Sequence, residues 1–143
     1  YVRHVGPYDE VGGAWKALMT WGWKRVIFGK PTTFGLCFDD PEVTSREQVR
    51  YEACMVVPEK VTPRGAVQVR DLEAGTWATT LHEGPYSSLG TTYARLFAHV
   101  ASESIEGRRW RLGDPPTLEV YLNDPRKTPP ERLRTEVGVR VIA

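Results

Sequence analysis

A carboxylate and a phenol stand two residues apart in segment 118–122, where Glu119 and Tyr121 alternate with three aliphatic residues. Side chains alternate along a strand, so Glu119 and Tyr121 share one face and the aliphatic residues share the other. We expect the aliphatic face to pack under helices, which leaves the carboxylate and the phenol on the opposite face. A carboxylate beside aromatic rings suits a hydrophobic cation, because the charge orients the ligand and the rings add cation–π attraction.

An equivalent strand is predicted at 34–38, before Asp40-Pro41. It differs from segment 118–122 at the two positions that carry the carboxylate and the phenol. Gly35 stands where the later strand has Glu119, and Cys37 stands where it has Tyr121. The small Gly35 and Cys37 would leave space for a ligand and so complete the predicted ligand site, with Trp21 at its rim. Two other interpretations of Glu119 stay open: a surface carboxylate on a solvated face, or a neutral, hydrogen-bonded structural group.

Other reactive side chains are assigned to the scaffold. His4 and His82 stand at matching strand ends, and His99 lies late in a helical segment where we expect it to be exposed. The chain shows no recognisable set of metal ligands and no Ser-His-Asp or Cys-His arrangement. We therefore expect no metal and no cofactor. Catalytic residues are expected only if the protein is an enzyme, with Glu119 and Tyr121 in that role.

Composition narrows the function classes. The chain has 143 residues, of which 41% are hydrophobic and 26% charged, as in a folded globular domain. A formal net charge of +1 argues against a surface built to neutralise phosphates. No apolar run reaches the roughly 20 residues of a membrane span. Two cysteines do not make a disulfide framework, so we expect a cytoplasmic location.

An internal repeat organises the chain. Segment 4–8, His-Val-Gly-Pro-Tyr, recurs as segment 82–86, His-Glu-Gly-Pro-Tyr, an offset of 78 residues (82 − 4). Asp9 and Ser87 follow the two turns and are expected to cap helices. The same offset aligns apolar positions at helical spacing, namely Val11, Trp15, Leu18 and Met19 with Leu89, Tyr93, Leu96 and Phe97.

A second repeat aligns Asp40-Pro41 with Asp124-Pro125, an offset of 84 residues (124 − 40), each followed by capping-box spacing that predicts a short helical turn. Strands are predicted on both sides of these turns, at 34–38, 51–57, 117–122 and 135–142. Residues 67–70 and 76–81 are predicted to form the junction between the halves.

The predicted fold is α+β: an internally duplicated strand-helix-strand-strand module with pseudo-twofold symmetry and a mainly antiparallel sheet. We expect a single domain over residues 1–143, with repeats at about 1–65 and 66–143. A ligand cleft is expected between the halves, because pockets favour the boundaries of packed units.

Several motifs in this order and spacing resemble the GyrI-like small-molecule-binding domain family along nearly the whole chain. They are the two Gly-Pro-Tyr turns, Leu18-x-x-Trp21, Phe38-Asp39-Asp40-Pro41, Arg50-Tyr51-Glu52-Ala53 and Leu118-Glu119-Val120-Tyr121-Leu122-Asn123-Asp124-Pro125. The resemblance implies a pair of strand-helix-strand-strand modules. It also implies a glutamate in an aromatic pocket that meets the ligand, at Glu119.

The resemblance to the branch linked to AraC-type regulators implies a bacterial-type effector-binding domain for a lipophilic, cationic or aromatic molecule. DNA would then be reached only through a domain outside this chain, and a homodimer is possible. We expect the chain to be a fragment that lacks upstream residues, since Tyr1-Val2-Arg3-His4 has the pattern of a strand end. Two alternatives stay open: a GyrI-like hydrolase acting on small strained or lipophilic compounds, and a stand-alone gyrase-modulating protein.

Overall fold

The computed structural model describes residues 1–23, 31–57 and 61–143. The chain divides into two compact units, Tyr1–Glu73 and Ala74–Ala143. Each unit contains an antiparallel sheet and one α-helix that packs on a face of that sheet. The predicted α+β class with mainly antiparallel pairing is therefore confirmed, whereas the duplication and the pseudo-twofold symmetry stay predictions.

The elements of the first unit are β1 (Val2–Val5), a 3-10 turn (Tyr8–Glu10), α1 (Gly12–Trp23), β2 (Thr33–Cys37) and β3 (Arg50–Met55). Its sheet has three strands, with β3 in the middle, paired to β1 on one side and to β2 on the other. The register sets Gly35 of β2 opposite Ala53 and Cys37 opposite Tyr51. Directly opposed residues share a face, so all four side-chain positions lie on one side of this sheet.

The core of the first unit lies between that face and α1. Alternate β3 residues, Tyr51, Ala53 and Met55, are buried together with Ala14, Leu18 and Trp21 of the helix. Spacings of four and three residues place the helical positions on one stripe. The stripe is rotated relative to the sequence-based expectation, because Met19 is 44% exposed while Ala14 and Trp21 are buried.

The elements of the second unit are β4 (Thr76–Glu83), a 3-10 turn (Tyr86–Ser88), α2 (Leu89–Ser102), β5 (Ser104–Ile105), β6 (Arg108–Arg109), β7 (Arg111–Leu112), β8 (Thr117–Tyr121), a 3-10 turn (Pro130–Arg132) and β9 (Arg134–Ile142). In its sheet, β9 pairs with β4 on one side, with β8 on the other, and with the short β7 near its end. Strands β5 and β6 pair only with each other among the described residues.

The core of the second unit lies between α2 and alternate residues of β9. Val137, Val139 and Val141 are almost fully buried, and they cluster with Leu89, Leu96 and Val100 of the helix. Fully burying such side chains contributes roughly 1.5–3 kcal/mol each. This valine row identifies the helix-covered face of the sheet.

Residues 67–70, at the predicted junction between the halves, form no strand and contribute only a single bridge between Arg64 and Val67. Two local predictions were wrong. The expected caps fail, because a 3-10 turn follows each Gly-Pro and delays the helix. Ser88, not Ser87, is the N-cap residue of α2, and its hydroxyl donates a hydrogen bond to the Pro85 carbonyl instead of capping the helix. The segment that follows Asp40-Pro41 makes turns rather than a helix, whereas the segment that follows Asp124-Pro125 gives the 3-10 turn Pro130–Arg132.

Candidate functional site

The Gly-Pro-Tyr turn of the second unit is held by a buried histidine. His82 is 5% exposed, with Nε2 3.1 Å from the Pro85 carbonyl oxygen and Nδ1 2.7 Å from the Thr92 hydroxyl on α2. Gly84 has φ +135°, a conformation that side chains rarely allow. These contacts agree with a scaffold role for the histidine, and they fix the place where Tyr86 leaves the turn.

Glu119 lies on the helix-covered face of the second unit, which corrects the expectation from sequence. Its register partner is Val137, one of the buried valines under α2, so the two side chains share that face. The aliphatic residues of β8 lie on the other face: Leu118 and Val120 are only half-buried, and Leu122, which follows the strand, is 42% exposed. A carboxylate with 8% exposure thus occupies a place that a core residue would normally take.

Two phenols donate hydrogen bonds to the Glu119 carboxylate, one to each oxygen. Tyr121 reaches Oε2 at 2.5 Å and Tyr93 reaches Oε1 at 3.2 Å. Tyr121 comes from the same face of β8 two residues on, and Tyr93 comes from α2. A buried charged group is costly unless hydrogen-bonded, so these phenols are what allows the carboxylate to lie beneath the helix.

A third tyrosine extends the aromatic surface. The ring of Tyr86 meets that of Tyr121 edge-on, with centroids 5.6 Å apart and planes at 70°. Burial, together with the negative charges of Glu119 and Asp124, raises the pKa of Tyr86, so its phenol stays protonated at neutral pH. Tyr86 is 37% exposed. We call Tyr86, Tyr93 and Tyr121 the tyrosine cluster.

Only part of this arrangement was predicted from the sequence. Glu119 and Tyr121 were predicted, and the structure brings them together, whereas Tyr86 and Tyr93 were not predicted. Both carried a signal: Tyr86 ends the repeated Gly-Pro-Tyr motif, and Tyr93 occupies the helical position equivalent to Trp15. The sequence pattern does not show which face of β8 is covered by α2.

The remaining predicted ligand residues belong to the first unit and are packed in its core. Cys37 and Trp21 are 6% and 9% exposed and lie in the same cluster as Tyr51. Space was expected at Gly35, but a Cβ there would lie 2.2 Å from the Tyr51 hydroxyl oxygen. That hydroxyl accepts a hydrogen bond from Trp15 Nε1 at 2.9 Å. The room beside Gly35 is therefore filled by Tyr51.

A second buried carboxylate, which the sequence analysis did not single out, lies on the opposite face of the first unit. Glu52 is fully buried and ion-paired to Arg3 at 2.5 Å and to Arg70. Both guanidinium groups also lie over the Phe38 ring, at 5.4 and 5.8 Å from its centroid. Because the guanidinium groups of Arg3 and Arg70 balance the charge of Glu52, we assign this carboxylate a structural role.

No group of three or more histidine, cysteine or acidic side chains in residues 1–23, 31–57 and 61–143 is placed to hold a metal ion. In the same part of the chain, no helix has the length and apolar character needed to cross a membrane.

Comparisons with known proteins agree with this fold. Residues 1–142 match the GyrI-like small molecule binding domain. The chain is 27% identical over 112 residues to the "SPbeta prophage-derived putative transcriptional regulator YosT" of Bacillus subtilis, covering 76% of this chain and 74% of the relative. It is 31% identical over 108 residues to the "Probable transcriptional regulator YgiV" of Escherichia coli, covering 75% of this chain but 65% of the relative.

Solved structures with the same fold come from proteins of different description. EcmrR in its DNA complex superposes with a TM-score of 0.79 at 20% identity, over 98% of this chain and 52% of that chain. A hydrolase from Listeria innocua gives a TM-score of 0.68 at 19% identity, over 99% of this chain and 85% of that chain. At these identities the likeness establishes the fold alone.

The fold and the family match together define the class of protein. This chain belongs to the GyrI-like small molecule binding domain family.

Proposed function

We propose that this domain is the effector-binding part of a cytoplasmic transcription regulator, and that Glu119 and the tyrosine cluster bind a lipophilic, cationic or aromatic molecule. The observation that carries the proposal is a carboxylate buried on the helix-covered face and surrounded by phenol rings. A core position would be more stable with an aliphatic residue, so a charged group there indicates recognition.

A hydrophobic cation fits this arrangement better than a neutral or anionic molecule. Charges interact more strongly in a buried, low-dielectric site than in water, so Glu119 favours a positive group. Tyrosine faces attract cations and provide flat apolar area. Tyr86 is half-exposed and offers an edge at which a ligand can make its first contact.

The names of the relatives support the regulatory part of the proposal. YosT and YgiV are both named as transcriptional regulators, and EcmrR was solved bound to DNA. In such a protein, DNA is contacted by a domain outside this chain, and the ligand acts by shifting a linked equilibrium, typically by about 1–3 kcal/mol.

A matched pair of ligands tests the site: benzyltrimethylammonium and its uncharged carbon analogue, neopentylbenzene, titrated by tryptophan fluorescence. We expect the cation to bind more tightly than the neutral analogue. Glu119→Gln should lower the affinity for the cation at least about tenfold (1.4 kcal/mol) and leave the affinity for the neutral analogue unchanged. Glu131→Gln, on an exposed 3-10 turn, is the control for loss of one carboxylate. Equal affinity for the two ligands, or equal effects of the two substitutions, would refute a site centred on Glu119.

A second candidate function is hydrolysis, because Tyr121 donates a 2.5 Å hydrogen bond to Glu119, the geometry of a coupled acid–base pair. Glu119 would accept a proton from an attacking water, and Tyr121 would protonate the departing group. Incubating the protein with benzoylcholine, an aryl ester of a quaternary ammonium alcohol whose alcohol oxygen can depart, and measuring benzoate and choline separates the two functions. Turnover that Tyr121→Phe abolishes without loss of binding supports the enzyme, and unchanged ligand supports the effector domain.

A further inference from the structure

A groove of about 440 Å³ opens within the first unit, between α1 and the turn at residues 64–67. One wall is a helical stripe at four-residue spacing, made of Gly13, Ala17 and Trp21. The other wall is a turn fixed from below, since Val67 is 4% exposed and lies in the core cluster. The groove therefore has a firm apolar lining, and it does not include Glu119 or the tyrosine cluster.

Two cations flank this apolar lining. Lys16 stands on α1 beside the stripe, and Arg64 stands at the start of the facing turn. Both are exposed, and within the described parts of the chain neither side chain has a hydrogen-bond or ion-pair partner. Among the described residues that line the groove, none is a carboxylate. The described part of the lining therefore provides no counter-charge for the two cations.

From this arrangement we propose that the groove is a second ligand site, for a small aryl carboxylate. Its volume lies in the roughly 300–1,000 Å³ range of small-molecule sites. The aryl ring would lie along Ala17 and Trp21, with the carboxylate between Lys16 and Arg64. This charge preference is opposite to that of the tyrosine cluster, so the inference does not depend on the proposed function.

Glycine positions on α1 provide a blocking variant and its matched control. A Cβ at Gly13 or at Gly12 would meet no atom within 4 Å, so either position accepts a larger residue. Of these two glycines, Gly13 lines the groove and Gly12 does not. Gly13→Leu should fill the groove, whereas Gly12→Leu adds the same side chain to the same helix outside it. Both replacements improve helix propensity, so both variants are expected to fold.

The probes are naphthoate and its uncharged amide, naphthamide, titrated into isotope-labelled protein and followed by amide chemical shifts. We expect naphthoate to shift the Gly13 and Gly65 amides, Gly13→Leu to weaken binding at least tenfold, and Gly12→Leu to have no effect. Lys16→Gln and Arg64→Gln should each lower the affinity for naphthoate by about twofold to fivefold, as for exposed charge pairs, and leave the affinity for naphthamide unchanged. Arg95→Gln, on the exposed face of α2, controls for the loss of one positive charge.

Several results would overturn the proposal: no shift at Gly13 and Gly65, equal effects of the two leucine variants, or a naphthoate affinity changed by Glu119→Gln, which would place naphthoate at the tyrosine cluster. Circular dichroism checks that each variant is folded. If Gly13→Leu unfolds the domain, the double variant Lys16→Gln/Arg64→Gln tests the site instead. Equal naphthoate affinity in the double variant and in wild type would then reject the site.

Discussion

The contact between Gly35 and the ring of Tyr51 gives a quantitative stability prediction. A Cβ at position 35 would lie 2.2 Å from Oη, 2.7 Å from Cζ and 2.8 Å from Cε2 of Tyr51. The ring is 2% exposed and its hydroxyl is held by Trp15, so it cannot simply turn into solvent. Gly35→Ala therefore forces either a displaced ring or a displaced strand.

The expected cost has three parts. Overpacking of a core costs about 1–3 kcal/mol, and loss of the Trp15–Tyr51 hydrogen bond costs about 1 kcal/mol. The lower entropy of an unfolded chain with alanine offsets about 0.4–1 kcal/mol of this. The free energy of unfolding should fall by about 1–3.5 kcal/mol, measured by urea unfolding followed by circular dichroism.

A control and a double substitution test the physical reason for this cost. Gly12→Ala, at an open helical position, should instead raise stability by up to about 1 kcal/mol. In a Tyr51→Val background the ring is absent, so adding Gly35→Ala should cost less than it does in wild type. A cost for Gly35→Ala below about 0.5 kcal/mol, or one unchanged by removal of the ring, refutes the reasoning.

Two further predictions concern buried ionisable groups of the first unit. Glu52→Gln should lower the free energy of unfolding by about 2–3 kcal/mol, somewhat below the cost of breaking a fully buried pair because Arg3 and Arg70 are partly exposed to water. In urea unfolding, Glu83→Gln, which breaks an exposed pair with Arg134, should cost under about 1 kcal/mol, and equal costs would contradict the assignment. Burial raises the pKa of the Cys54 thiol from 9.0 to about 12, so the folded state keeps a proton that the unfolded state loses. The stability contributed by the neutral thiol is complete below about pH 9. It should decline as pH rises toward about 12, by at most about 1.4 kcal/mol per pH unit. Cys54→Ala should flatten this part of the plot of stability against pH, and an identical plot for the variant would show that another group titrates.

The sequence alone determined most of the secondary structure and half of the candidate site. Period-two patterns placed strands at 34–38 and 135–142, within a residue of the observed Thr33–Cys37 and Arg134–Ile142 at each end. Local patterns carry this information because side-chain alternation and helical spacing are properties of the backbone itself. The pairing of Glu119 with Tyr121 followed for the same reason, since residues two apart on a strand always share a face.

Tertiary structure decided whether the face of β8 with Glu119 and Tyr121 is covered by the helix or lies on the other side of the sheet. Alternation groups residues into two sets, but only the register of β8 against β9 and the docking of α2 put Glu119 on the covered side, beside Val137. The same docking brought in Tyr93 from the helix. It was likewise packing, not composition, that filled the space at Gly35 with the ring of Tyr51. Contacts between residues far apart in the chain depend on how whole elements pack, and a local pattern does not contain that geometry.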